Sequence, residues 1–374
     1  MSEQLSTSEQ LATSEQLATS ERHATAEQLA TRGITVLRGG VEQIAAAAGA
    51  AERLGFHSVW SPEFYTRSAV VTLARMAGTT TTARIGSSIA YGVGRSPLTI
   101  ATEARSLDEV SRGRLVLGLG TGTRRMMHDW HGETPDGPAS RMEELVPLLR
   151  RLWRLHEGPV RHDGRFYHVD IKPTAEVDAP LRADIPVYTA GVNARMVEVA
   201  GRVADGFLGH PLFAPSYVDE VVRPAIATGA AKADRDPAQV AVCGVVICAV
   251  ADDEEQARRE VAGQLAFYTA PKAYAPVLAL AGFDSAASAI RAAFAAGDHD
   301  AMVAAVPDAM IDALAVAGTP AQVTEKLRRY DGVLDHVIVY PPSFRLSAQR
   351  CDELVEALLT HAAPSTDIPE GASV

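Results

Sequence analysis

The sequence predicts a (β/α)8 barrel, an α/β fold with inserted segments at the C-terminal mouth. From Gly33 onward, short apolar runs alternate with helical patterns, as in a parallel sheet whose crossovers are helices. Eight such runs favour a closed barrel over an open doubly wound sheet. Residues 106–122, SLDEVSRGRLVLGLGTG, hold a helix end, a stop, a strand and a glycine-rich mouth. Leu107 and Val110 are apolar at helical spacing, and Gly113 sits where a left-handed C′ residue ends a helix. Leu115 to Leu117 form a run suited to a strand covered on both faces. Gly118, Gly120 and Gly122 then leave a bare backbone, with room for a flat ring above the strand.

Each element follows in order. Ile34–Leu37 reads as the first strand and Val41–Leu54 as a helix stopped by Gly55. His57–Trp60, Arg84–Ile89 and Leu115–Leu119 are the next strands, separated by helices over Arg67–Ala77 and Leu98–Ser111. Glu143–Leu155 is helical, with a kink expected at Pro147. Pro186–Ala190, Gly206–Leu208, Val240–Val250 and Asp335–Tyr340 complete the eight strands. Gly158–Asp170 reads as an inserted hairpin, and Pro271–Ala317 as short helices forming a lid.

Two domains are expected: residues 1–31 as a tail and 32–374 as the barrel. The tail repeats SEQLAT-like hexapeptides, with Leu5, Leu11, Leu17 and Leu29 in the six-residue slots and His23 in the remaining one. Six residues advance a helix by about 240°, so these leucines make no single stripe and a disordered tail is expected. The chain of 374 residues is 47% hydrophobic and carries a net charge of −11. Without a basic stripe, a nucleic-acid partner is not expected. No apolar run is long enough to span a bilayer and no signal segment is evident, so a cytoplasmic protein is expected. Cys243, Cys248 and Cys351 form no CxxC pair and read as reduced structural thiols.

Function in such a barrel lies beyond the C-terminal ends of the strands. After the second strand, Glu63 is a mouth carboxylate, suited to holding a ligand or moving a proton, or else to a surface salt bridge. The small residues after the third strand, including Ser88, allow a ligand close to the backbone. The fourth-strand glycines match neither a dinucleotide fingerprint nor a P-loop. His128 and His131, three apart, lack the partners of a metal site and are placed on a mouth loop; no metal is expected. After the fifth strand, Gly191-Val192-Asn193 opens a helix whose free N–H groups suit an anion. Arg195 opposes the dipole there, and a phosphate would explain its presence. His210 is a mouth histidine, a proton donor or a satisfied loop residue.

Ala51–Phe56 with Ser58-Val59-Trp60, the 106–122 stretch, Ala200–Gly206 and Gly318-Thr319-Pro320 together resemble the bacterial luciferase-like superfamily of flavin and deazaflavin enzymes. The resemblance runs from Gly33 to His361. Gly94-Arg95-Ser96-Pro97, Arg141-Met142 and His210-Pro211 resemble its coenzyme F420 branch. The resemblance implies a non-prolyl cis peptide at Ser88–Ile89 supporting the cofactor ring. It also implies a phosphate held by Gly191, Val192, Asn193, Arg195 and Met196, with Thr121 and Gly122 along the ring and Glu63 contacting the cofactor. A homodimer is implied as well.

There are departures. The sugar-phosphate dehydrogenases of this branch carry Asp-His where this chain has Glu63-Phe64, and an acid where it has Thr123. Glucose 6-phosphate chemistry is therefore not expected, and any acid–base group falls to Glu63, His128 or His210. The expected activity is hydride transfer between F420 and a small organic substrate. The alternatives are an FMN-dependent monooxygenase using reduced flavin and oxygen, and a non-catalytic relative that binds a partner protein.

Overall fold

The structure is a computed structural model and describes residues 29–364. The expected disorder of the hexapeptide repeat in residues 1–28 lies outside the described residues. Eight parallel strands close the barrel: β1 Thr31–Thr35, β2 Ser58–Ser61, β3 Arg84–Ser87, β4 Leu115–Gly120, β5 Val187–Ala190, β6 Gly206–Gly209, β7 Ala241–Val250 and β8 His336–Tyr340. Each pairs with the next, and β8 returns to pair with β1. Helices surround this ring, so strands such as Leu115–Gly120 are buried along their whole length, as their unbroken apolar character requires.

The bottom of the barrel is filled by a directed polar chain. A Cβ on Gly33 would lie 2.2 Å from Ser58 Oγ and 2.7 Å from His336 Nε2, so only glycine leaves them room. Trp60 Nε1 donates to Ser58 Oγ at 2.5 Å, and the Ser58 hydroxyl donates to His336 Nε2 at 2.7 Å. His336 Nδ1 donates to Thr31 Oγ1 at 2.8 Å, and that hydroxyl donates to the Asp335 carbonyl at 3.1 Å. One tautomer of a neutral imidazole satisfies every member. Burial, with the charges of His57 and Arg84, pushes the His336 pKa down to about 3.

Several elements differ from the sequence expectations. The third strand stops at Ser87, and a two-residue strand resumes at Ala90–Tyr91 after a cis peptide between Ser88 and Ile89. His128 and His131 lie on a helix, Arg124–His131, and not on a loop. Its N-cap Thr123 accepts the Met126 amide and Gly132 ends it at φ +67, which is ordinary capping chemistry. The next helix begins at Pro138, five residues earlier than expected, and runs to Trp153 with Pro147 inside it. The hairpin is present as Val160–Asp163 against His168–Ile171. The short helices between residues 272 and 314, expected as a lid, end in an added strand, Ala315–Gly318, paired along the outer half of β7.

Candidate functional site

The glycines of β4 serve the packing of β3. A Cβ on Gly118 would come within 1.8 Å of the Ser87 carbonyl oxygen, and one on Gly120 within 2.4 Å of Ile89 Cδ1. The bare backbone thus admits the end of the third strand, and Ser87 Oγ bridges both the Gly118 amide and carbonyl at 2.9 and 2.8 Å. Ile89 is lowered onto Gly120, and the Ser88–Ile89 segment floors the mouth. Thr121 is buried, with its hydroxyl on the Gly122 carbonyl at 3.1 Å, and Gly122 turns the chain at φ +67.

Glu63 braces that floor. Its amide donates to the Ile89 carbonyl at 2.9 Å. Its carboxylate accepts the Tyr91 amide at 2.9 Å and Arg95 Nη2 at 2.5 Å. Arg95 also reaches Glu103 at 2.9 Å. A carboxylate with these partners positions the segment on either side of Ile89; its charge is already neutralised.

At the fifth-strand turn, Asn193 caps the helix Ala194–Val203 by accepting the Met196 amide at 3.0 Å. The amides of Asn193, Ala194 and Arg195 have no acceptor among the described residues. The Val192 carbonyl takes the Tyr217 hydroxyl at 2.9 Å, and Met196 is buried. Arg195 has a protein partner that accounts for it: both Nη atoms meet the Glu143 carboxylate, at 2.6 and 2.8 Å. Partial burial alone would raise the Glu143 pKa, but Arg195 and Arg202 outweigh it and hold it below the usual range.

His210 follows β6 and sits in an aromatic nest. Its ring stacks on Tyr274 at 4.2 Å and meets Tyr268 edge-on at 5.1 Å. Burial there pushes its pKa down to about 3, so it is neutral at pH 7. Nδ1 accepts the Leu212 amide at 3.3 Å, which leaves Nε2–H as the free donor. Tyr268 in turn donates to the Tyr340 hydroxyl at 2.9 Å.

The luciferase-like monooxygenase model matches residues 18–336. The chain belongs to that family. An uncharacterized protein of Mycobacterium bovis is 34% identical to this luciferase-like chain, over 83% of it and 93% of the relative. The 5,10-methylenetetrahydromethanopterin reductase of Methanolobus tindarius is 32% identical over 75% of this chain and 84% of its own. Among solved structures, the coenzyme F420 dependent tetrahydromethanopterin reductase of Methanopyrus kandleri superposes with a TM-score of 0.75 at 25% identity. It covers 89% of this chain and 98% of its own. An FMN complex of a type II Baeyer–Villiger monooxygenase from Pseudomonas putida shares the fold, with a TM-score of 0.65 at 17% identity, over 91% and 100% of the two chains.

This luciferase-like barrel gathers Glu63, Ser88 and Ile89 through the Glu63–Ile89 hydrogen bond. It does not bring His128 to them. That ring is exposed and bonded to Asp129 Oδ1 at 2.8 Å. His131 is the histidine turned inward, its ring 4.7 Å from that of Tyr91 and its buried Nε2 without a partner. The helix phase decides between them: Met127 is fully buried, so Trp130 and His131, three and four residues on, share its face. Phe64, Tyr65, Tyr91 and Trp130 also meet at the mouth. They come from three segments, Phe64-Tyr65, Tyr91 and Trp130, and no sequence spacing points to their meeting.

Proposed function

We propose that this chain is an F420-dependent oxidoreductase that transfers a hydride between the deazaflavin and a small organic substrate at the barrel mouth. The observation that carries it is the likeness, over nearly the whole of both chains, to the F420 dependent reductase of Methanopyrus kandleri. The residues present suit a flat ring with a phosphate tail. Thr35 follows Gly33 by two and so shares its inward side, and its buried hydroxyl has no partner. The free amides of Asn193, Ala194 and Arg195 stand at the positive end of a ten-residue helix, where an anion is stabilised.

When bound, the deazaflavin supplies the hydride chemistry; the protein supplies orientation and exclusion of water. Ser88 and Ile89 would back the ring, and Thr121 and Gly122 would lie along it. Gly191, Val192, Asn193 and Met196 would shape the turn that holds the phosphate, and Arg195, held by Glu143, would flank it. Glu63 holds the floor in place. His210, neutral, offers Nε2–H as a hydrogen-bond donor. His128 takes no part, since it faces solvent. The described residues include no helix long and apolar enough to cross a membrane; a cytoplasmic location, a homodimer and a small-molecule substrate belong to the proposal.

The FMN-dependent monooxygenase remains the second reading, favoured by the family's description and by the FMN-bound neighbour. Oxygen separates them. Reduced F420 should be oxidised by an organic acceptor under anaerobic conditions. Turnover only with reduced FMN and oxygen would replace the first reading with the second.

A further inference from the structure

The mouth has two aromatic walls. On one side, Phe64 and Tyr65 lie 4.1 Å apart, and Trp130 stands edge-on to both, at 5.2 and 5.4 Å. Tyr91 links this cluster to the floor: its ring is 6.4 Å from Trp130, and its amide is held by Glu63. On the other side, His210 is stacked with Tyr274.

The first wall is unusually open. Phe64 is 40% exposed, Tyr65 73% and Trp130 42%, although aromatic residues of this size are ordinarily covered. Edge-to-face packing leaves ring faces free to receive another ring. Both carboxylates next to the platform in the chain are already paired: Glu63 with Arg95 and the Tyr91 amide, Asp129 with Arg125, while Arg67, bridged to Phe64, donates to the Gly39 carbonyl. The wall begins one residue after the amide that holds the Ile89 carbonyl, next to the segment assigned to the cofactor ring.

We infer that Phe64, Tyr65 and Trp130 form the substrate platform and that the substrate presents an uncharged, planar conjugated ring. The inference rests on the oxidoreductase reading for its chemistry, but the binding event can be measured without the cofactor.

The test compares 2-naphthol with its saturated counterpart decahydro-2-naphthol by equilibrium dialysis against the full chain. The planar probe should bind more tightly, and Trp130→Ala should weaken it by about five-fold while leaving the saturated probe unaffected. Trp130→Phe should restore most of the loss. Equal binding of the two probes, or an unchanged planar-probe affinity in Trp130→Ala, overturns the assignment. So does a loss of self-association in Trp130→Ala by sedimentation without any preference for the planar probe, which would make the wall a contact for a second copy. F420 binding is measured in parallel. Failure of F420 to bind, with the ring preference intact, refutes the cofactor and spares the platform; the converse refutes the platform alone.

Discussion

Arg95 and Glu63 meet at 2.5 Å beneath the mouth, with side chains only 21% and 16% exposed. The same carboxylate holds the Tyr91 amide, and the Glu63 amide holds Ile89. One residue thus ties both sides of the cis-linked floor to the loop after β2. Glu63→Gln should destabilise the protein by about 1–3 kcal/mol, because Arg95 keeps only Glu103 as a charged partner. Urea denaturation measures this. An unchanged midpoint would mean that the floor does not depend on the clamp.

The β4 glycines give a graded pair. Gly118→Ala drives a Cβ into the Ser87 carbonyl, a backbone atom that cannot move alone, and should cost about 3 kcal/mol or more. Gly120→Ala meets only the tip of Ile89. That variant should fold, with Ile89 lifted toward the ring site and cofactor affinity reduced. Equal stability losses in the two variants would contradict this ordering.

At the turn proposed to hold the phosphate, Arg195→Ala should weaken cofactor binding by about three- to ten-fold. The backbone amides remain, and Glu143 already engages the guanidinium. Gly191→Ala should weaken it more, because its Cβ would lie 2.3 Å from Met196 Cβ and force the turn away from the helix. Isothermal titration orders the two. No change in either variant would remove the phosphate from this turn.

Acid should destabilise the fold earlier than carboxylate titration alone requires. Burial lowers the folded-state pKa of both His210 and His336 to about 3, against about 6.5 in the unfolded chain. Their neutral forms therefore contribute stability that is fully present above pH 6.5 and is lost as pH falls toward 3. The slope reaches at most about 1.4 kcal/mol per pH unit for each histidine. Urea midpoints between pH 7.5 and 5 should fall, and His336→Gln should flatten part of that fall. A flat profile in the parent protein would contradict the buried neutral state.

Much of the fold was legible because it is written locally. Alternating apolar runs marked all eight staves. Gly113 takes φ +79, but it stands one residue beyond the expected C′ position, which Arg112 fills at φ +55 after the Ser111 cap. The cis bond lies where the family resemblance put it. What escaped depends on partners distant in sequence. Gly118 and Gly120 looked like space for a ring, but that space is filled from β3 by Ser87 and Ile89. Arg195 looked like a phosphate ligand awaiting its anion, while Glu143, fifty-two residues away, already faces it. His128 and His131 could be ranked only once the phase of their helix was known. The short strand Ala315–Gly318 was hidden at the end of a helical stretch.

The central claim is the cofactor, and direct titration of the purified full chain with F420 and with FMN, each oxidised and reduced, tests it most directly. We predict saturable F420 binding that weakens in Gly191→Ala, with FMN at least about ten-fold weaker. Tight FMN binding without F420 binding would contradict the account.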